Sequence, residues 1–296
     1  MNRITIGIIG GRGHMGRWFK SFFREAGYAV LVAGRKTAMT CTQLARRSDV
    51  VILSVPVGAV ESICREIAPV LGPSQLLMDI CSLKESVLKS MLAVPSAQVA
   101  GTHPLFGPAT ESLQGQNIII CPGRGTDRLK WLEETFRAGG AVLTHLDPGE
   151  HDRSMAVVQG LTHFLTITLG RTFQKLNLPP RDAFKVATPV FRTQLDLIGR
   201  LFAQDLELYR DLIRKNPYVD ATLKAFLDAL DEGRRELIHS DGDKAGSDFM
   251  ENIHAFFKNY CPQGLVESNR FLNALYSDAD KPCSCIKNMA KYVNKL

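Results

Sequence analysis

The 296-residue chain has no apolar run approaching the ~18 residues that a membrane-spanning helix needs. It also lacks the charged, apolar and small-residue succession of a secretory leader, because strand-forming residues begin by position 5. Its seven cysteines are odd in number and without paired spacing, so they read as cytosolic thiols rather than a disulfide framework. Cys283 and Cys285 lie close together but have no matching second pair, and no metal site is expected there. Together these absences predict a cytoplasmic chain without a membrane partner. What remains is ordinary for a globular protein: 45% apolar and 22% charged residues, enough to bury a sizeable core. The net charge of +6 suits nucleic acid and small polyanions equally and selects neither.

The first half alternates short β-rich runs with helical patterns. Strands are expected over 5–10, 29–34, 49–56, 76–80, 98–101, 117–121 and 141–145, with helices over 15–25, 59–68, 85–92 and 128–138. Runs of Ile, Val and Leu without clear alternation are buried on both faces, which implies a parallel sheet covered by helices. The link between the second and third strands is short, leaving room for about two helical turns. After Asp147-Pro148-Gly149 the strand signal stops. Met155, Val158, Leu161, Leu165 and Leu169 recur at helical spacing, as do Leu195, Ile198, Phe202, Leu206 and Tyr209 behind Pro189. Further helices are expected over 221–238, 244–259 and 265–275. The fold class is thus a doubly wound, mostly parallel α/β domain over 1–147 followed by an all-α domain over 148–296. From Lys281 the chain carries four Lys and no acid, and it reads as a solvated terminal helix.

The first strand runs into Gly11-Arg12-Gly13-His14-Met15-Gly16, and a helix follows. Between a buried strand and a helix this spacing is a Rossmann-type dinucleotide turn. Gly11 is expected to make the tight turn, Gly13 to let the backbone approach a pyrophosphate, and Gly16 to let helix and strand pack closely. Val55 and Pro56, at the end of the third strand, complete the expected cofactor contacts. NAD-binding turns usually place Asp or Glu at the end of the second strand, on the ribose 2′-hydroxyl. Here the chain reads Val32-Ala33-Gly34-Arg35-Lys36. Arg35 can fork onto a 2′-phosphate and Lys36 can add charge, so NADP is expected ahead of NAD.

Polar residues gather where open α/β sheets bind ligands, at the carboxyl ends of the strands. Ser82 and Lys84 follow one strand. His103 follows the next, in Gly101-Thr102-His103-Pro104-Leu105-Phe106-Gly107-Pro108, a loop expected to fix the imidazole rigidly and expose it. In the helical half His163 lies within an apolar helix. Arg192 and Arg200, eight residues apart, can share one face of another. Singly, each has a bland reading: a core His, a surface Lys, an Arg paired with Asp196 or Asp205.

Together these segments resemble the prephenate dehydrogenase family. The resemblance runs through the glycine turn, Asp79-Ile80-Cys81-Ser82-Leu83-Lys84, the His103 segment and His151-Asp152-Arg153-Ser154-Met155 with Gln159 and His163. It continues through Pro189-Val190-Phe191-Arg192 to Ile198-Gly199-Arg200-Leu201-Phe202-Ala203-Gln204-Asp205. It implies oxidative decarboxylation of a cyclohexadienol dicarboxylate, with hydride transfer to a nicotinamide, in tyrosine biosynthesis. His103 would take the ring-hydroxyl proton and Ser82 would orient it. Arg200 would hold a substrate carboxylate, supported by Lys84 and Arg192, with His163 and Gln159 near the side chain. His151-Asp152 reads as structural.

The resemblance further implies a homodimer through the helical half and no nucleic-acid partner. Some members carry a mutase, regulatory or dehydratase module; a strand from residue 5 and helices filling the rest leave no room for one, so a single activity is expected. Arogenate and 4-amino-4-deoxyprephenate are the alternative substrates. A β-hydroxyacid dehydrogenase or imine reductase shares the two-domain plan but would place Lys or Asp where His163 stands. A nucleotide sensor would give His103 and Arg200 no task.

Overall fold

The computed structural model describes residues 4–239 and 243–277, so the terminal basic stretch with Lys281, Cys283, Cys285, Lys287, Lys291 and Lys295 lies outside the described residues. Seven strands form one sheet: β1 (Thr5–Ile9), β2 (Ala29–Ala33), β3 (Val50–Leu53), β4 (Leu76–Asp79), β5 (Gln98–Pro104), β6 (Asn117–Arg124) and β7 (Val142–His145), in the order β2-β1-β3-β4-β5-β6-β7. All neighbours are parallel except β5 and β6, which pair antiparallel with His103 opposite Ile119. That pairing carries β5 past its expected end at Gly101 to Pro104.

Helices α1 (His14–Glu25), α2 (Cys41–Arg46), α3 (Val57–Ile67), α4 (Glu85–Leu92) and α5 (Asp127–Ala138) alternate with the strands. The central strands are buried throughout, and their alternate residues divide between two cores. Val51, Leu53 and Leu77 join Leu44, Val60 and Leu88 on one face, while Val50, Ile52 and Met78 join Phe19, Phe23 and Phe136 on the other. Fully burying an aromatic such as Phe19 contributes about 1.5–3 kcal/mol, enough to fix which face of α1 turns inward. The six-residue α2 matches the short link expected; Thr40 and Gln43 start it with a reciprocal capping box.

Compact packing divides the chain into two units. The first contains the described residues through Gly160 together with Asp211–Val219, so it keeps α6 (Pro148–Met155) and a π-helical turn, Ala156–Leu161, up to Gly160. The second contains Leu161–Arg210 and the described residues from Asp220 onward. It is helical: α7 (Thr162–Lys175), α8 (Pro180–Ala183), α9 (Pro189–Phe202), α10 (Leu206–Arg214), α11 (Val219–Ile238), α12 (Asp243–Phe257) and α13 (Cys261–Ser277), with α10 and α11 beginning or ending in the first unit.

Pro189 opens α9 behind the Thr188 cap, as the sequence requires. The periodicity from Leu195 to Tyr209 is not one helix, however. The chain breaks after Phe202, and the Asp205 carboxylate accepts the Glu207 N–H (3.0 Å) as α10 restarts. Within this unit α7 packs on α9, with Phe173 and Phe191 rings 5.4 Å apart and no room for a Cβ at Gly170 without pressing on Ile198. Large apolar side chains stay exposed on it, including Leu197, Phe202, Leu230, Phe256 and Leu265. Among the described residues no helix is long and apolar enough to cross a membrane.

Candidate active site

The glycine turn follows β1 directly. The left-handed residue is Gly10 (φ +85°), where a Cβ would collide with the Ser54 carbonyl. The tight turn therefore falls one residue before Gly11, the position expected for it. Gly11 instead lies against the Val32 methyls, and Gly16 packs on Gly10 so closely that helix and strand touch through backbone. Gly13 caps α1 with no side-chain bond, and no acidic residue stands in the first turn of the helix.

Between this turn and the end of β2 lies a cavity of about 400 Å³, lined by Gly11, Arg12, Arg17, Lys20, Val32 and 37–39. Arg35 and Lys36 are exposed and outside that lining. Arg12 donates to the Lys36 carbonyl, and Arg17 to the Arg12 carbonyl (3.0 Å) and His14 Nδ1 (3.2 Å). Met15 packs against the α1 core. Val55 and Pro56 are half-buried where β3 enters α3; the Cys81 thiol donates to the Val55 carbonyl (3.4 Å).

At the end of β4 the chain buries an ion pair. Lys84, wholly buried, donates from Nζ to the Asp79 carboxylate and to the Thr102 carbonyl (2.8 Å). Asp79 also accepts the N–H groups of Cys81 (2.8 Å) and Thr102 (3.2 Å), so both carboxylate oxygens are engaged. This pair ties β4 to β5 next to His103. The expectation that Lys84 faces a substrate carboxylate is corrected on this point, because its charge is spent inside the fold. Ser82 is half-buried in the same turn, and its hydroxyl makes no hydrogen bond among the described residues.

His103 is not on an exposed loop. It lies in the β5–β6 ladder, only 3% exposed, because the antiparallel partner holds the backbone extended through Pro104. His103 Nδ1 is 2.8 Å from His151 Nε2, and His151 Nδ1 is 2.7 Å from Asp152 Oδ1. Asp152 also accepts the backbone N–H groups of Lys84 (2.8 Å) and Glu85 (3.0 Å), capping α4, and its own carbonyl accepts from Asn216 (2.7 Å).

With both imidazoles neutral, a single proton arrangement satisfies this chain. Carboxylate oxygens only accept, so His151 donates from Nδ1 and accepts at Nε2, and His103 therefore donates from Nδ1. The lone pair of His103 is thereby fixed on Nε2, where the Gln159 amide donates to it (3.3 Å). Burial first, then the neighbouring His151 and Lys84, hold the His103 imidazole well below its usual 6.5. The site is a neutral imidazole with an oriented, unprotonated Nε2. His151 and Asp152, read from sequence as structural, thus carry its orientation. Their only sequence signal is a His-Asp pair at the start of a helix.

The sequence matches the family model described as the prephenate dehydrogenase nucleotide-binding domain over residues 27–145, and that of the prephenate dehydrogenase dimerization domain over 147–255. The chain belongs to the prephenate dehydrogenase family. Among its relatives are a probable arogenate/prephenate dehydrogenase of Methanocaldococcus jannaschii, 31% identical over 94% of this chain and 66% of that protein, and the T-protein of Haemophilus influenzae, 32% identical over 90% of this chain and 70% of that protein. The chain therefore spans about two thirds of their length. The fold is shared with the crystal structure of prephenate dehydrogenase from A. aeolicus in complex with hydroxyphenyl propionate and NAD+, with a TM-score of 0.68 at 20% identity over 87% of this chain and 99% of that one.

Within the family's dimerization domain, His163 and Tyr209 meet edge to face with ring centroids 4.8 Å apart. Burial lowers the His163 imidazole and raises the Tyr209 phenol, on which the Arg200 charge acts in the opposite sense. His163 and Arg200 therefore converge on Tyr209, a residue read from sequence only as part of an apolar repeat. Arg200 is exposed and has no ion pair among the described residues, so neither Asp196 nor Asp205 occupies it. Arg192 lies over the Phe184 ring (5.7 Å), with Nε 3.9 Å from Asp196.

Proposed function

We propose that this chain oxidises and decarboxylates prephenate to 4-hydroxyphenylpyruvate in tyrosine biosynthesis, with NADP as cofactor and a homodimer built through the helical domain. The observation that carries the reading is the buried Asp152–His151–His103 chain, which presents a neutral base at a single nitrogen. The glycine turn fits a dinucleotide: side chains are excluded at Gly10 and Gly16, and the N-terminus of α1 offers free N–H groups to a pyrophosphate. A bound nicotinamide supplies the hydride acceptor. His103 Nε2 accepts the proton of the ring hydroxyl as hydride leaves the same carbon. Loss of the ring carboxylate as CO2 then makes the ring aromatic and the step downhill.

Gln159 is displaced from Nε2 by the hydroxyl and redirects its N–H to the oxygen as negative charge builds there. Ser82, with an unspent hydroxyl in the neighbouring turn, supports the same oxygen. Arg200, without an ion pair among the described residues, holds a substrate carboxylate, with His163 and Arg192 in support. The exposed apolar side chains of the helical unit, such as Phe256 at 84%, support its burial against a second copy.

The test is nicotinamide reduction by the purified protein with prephenate or arogenate, each with NADP or NAD. Reduction with prephenate, accompanied by CO2 and 4-hydroxyphenylpyruvate, is expected; its absence overturns the substrate. Replacing His103→Asn is expected to cut kcat by about 10²–10⁴ with KM little changed, the range for loss of a positioned base. Arg200→Gln is expected instead to raise KM. Near-wild-type kinetics for both would refute the site.

A further inference from the structure

If the cofactor is NADP, as proposed above, its 2′-phosphate needs cations at the β2 side of the glycine turn. The residues expected there from sequence, Arg35 and Lys36, stand outside the cavity at that place. We propose that the 2′-phosphate is held from helix α1, by Arg17 and Lys20, with Arg12 closing over it from the glycine turn.

Position comes first. The cavity lies between Gly11, Val32 and the loop after β2, where the adenosine ribose of a dinucleotide rests in this type of fold. Charge is the second argument. Three cations line the cavity and no carboxylate does, and none of the three has an acidic partner among the described residues. Arg17 and Lys20 are three residues apart on one helical face, an arrangement of like charges that weakens a bare helix. An anion between them reverses that sign.

Geometry is the third. Arg12 lines the cavity and reaches from the glycine turn across to the Lys36 carbonyl. Arg17 is steered by the Arg12 carbonyl and His14. Lys20 is half-buried, yet its ammonium has no hydrogen-bond partner among the described residues. The loop itself is shaped by Thr37, whose single hydroxyl proton lies between the Gly34 and Met39 carbonyls and whose oxygen accepts the Gly34 N–H, so its donor is committed inside the loop. Recognition of the phosphate monoester is left to the α1 cations, with Arg17 able to bind two of its oxygens at once.

The experiment is calorimetric titration of the intact protein with 2′,5′-ADP and with 5′-AMP, which differ by the phosphate alone. Wild type is expected to bind 2′,5′-ADP about 100-fold more tightly, and Arg17→Gln and Lys20→Gln to lose about tenfold each, as for single charge-assisted hydrogen bonds. Their 5′-AMP affinity stays unchanged, which also shows that they are folded. Arg35→Gln and Lys36→Gln are expected to stay within about twofold of wild type, as for solvated surface charges.

Equal wild-type affinity for the two ligands overturns the inference. So does a tenfold loss confined to Arg35→Gln or Lys36→Gln, or a parallel loss of 5′-AMP binding in the α1 variants. Prephenate-dependent reduction of NAD by a wild type indifferent to the 2′-phosphate would sink this inference alone. Strong 2′-phosphate discrimination without any prephenate turnover would sink the reaction and leave this site standing.

Discussion

Replacing His151→Phe isolates what the buried chain contributes to the base. Phe keeps an aromatic ring at a position with no exposure, and its larger volume is expected to cost about 1–3 kcal/mol of stability, which a urea titration reads separately from the kinetics. Asp152 Oδ1 still accepts the Lys84 N–H, so the cap on α4 survives. What is lost is the acceptor for His103 Nδ1. In a site 3% exposed, an unpaired N–H costs about 1–3 kcal/mol. The proton moves instead to Nε2, where the Gln159 amide can turn its carbonyl to receive it. The productive tautomer then becomes the minor one by that same 1–3 kcal/mol, which lowers kcat by about 5–150-fold. KM should change little, because His151 touches no surface that a ligand reaches. Steady-state kinetics with prephenate and saturating NADP reads this directly. His151→Gln, which keeps an acceptor for His103 and a donor for Asp152, should recover most of the loss. A folded His151→Phe protein with kcat within threefold of wild type, or no recovery in His151→Gln, refutes the proton arrangement.

Two further outcomes follow from the same geometry. His103 must be neutral to accept a proton, and burial holds its imidazole below 6.5, so kcat/KM should be flat from pH 6.5 to 8 and fall only as the pH drops below that window; an acid limb at or above 6.5 contradicts the burial seen here. Lys84→Met should leave Asp79 charged and unpaired in the interior and destabilise the fold by about 3–5 kcal/mol in urea titration, with Asp79→Asn restoring part of it. A loss below 1 kcal/mol would place the pair's energy elsewhere.

Strand existence was legible because buried parallel strands have a composition of their own: Val50–Leu53 and Leu76–Asp79 read as apolar runs from any direction. Their ends were less so. Nothing local in Thr102-His103-Pro104 says that β6 returns antiparallel, and this nonlocal pairing turns an expected exposed loop into a buried strand. The break at Ala203-Gln204-Asp205 was hidden because the apolar period runs on through it, and only Asp205 as a cap reveals the restart.

The candidate site divides in the same way. His103, Ser82 and Arg200 stand out by residue type. His151 and Asp152 do not, since their role depends on a 2.8 Å contact across 48 residues of chain. Lys84 shows the converse error: a cation near a ligand site looks like a ligand group until its buried partner, Asp79, is seen.

The two groups that meet at Nε2 stand on very different ground. His103 is pinned by a strand ladder and, through His151 and Asp152, by the cap of a helix. Gln159 hangs from a π-helical turn, whose widened hydrogen-bond ring is a marginal conformation used in single turns. A shift of the first would have to break a sheet ladder, whereas the second stands in a single π turn. A catalyst built this way has a fixed anvil and a movable jaw. With His103 as the proposed base, laboratory evolution toward a ring substituent other than hydroxyl would be expected to find its useful changes between Ala156 and Gly160, and substitution of the imidazole to cost most of the turnover.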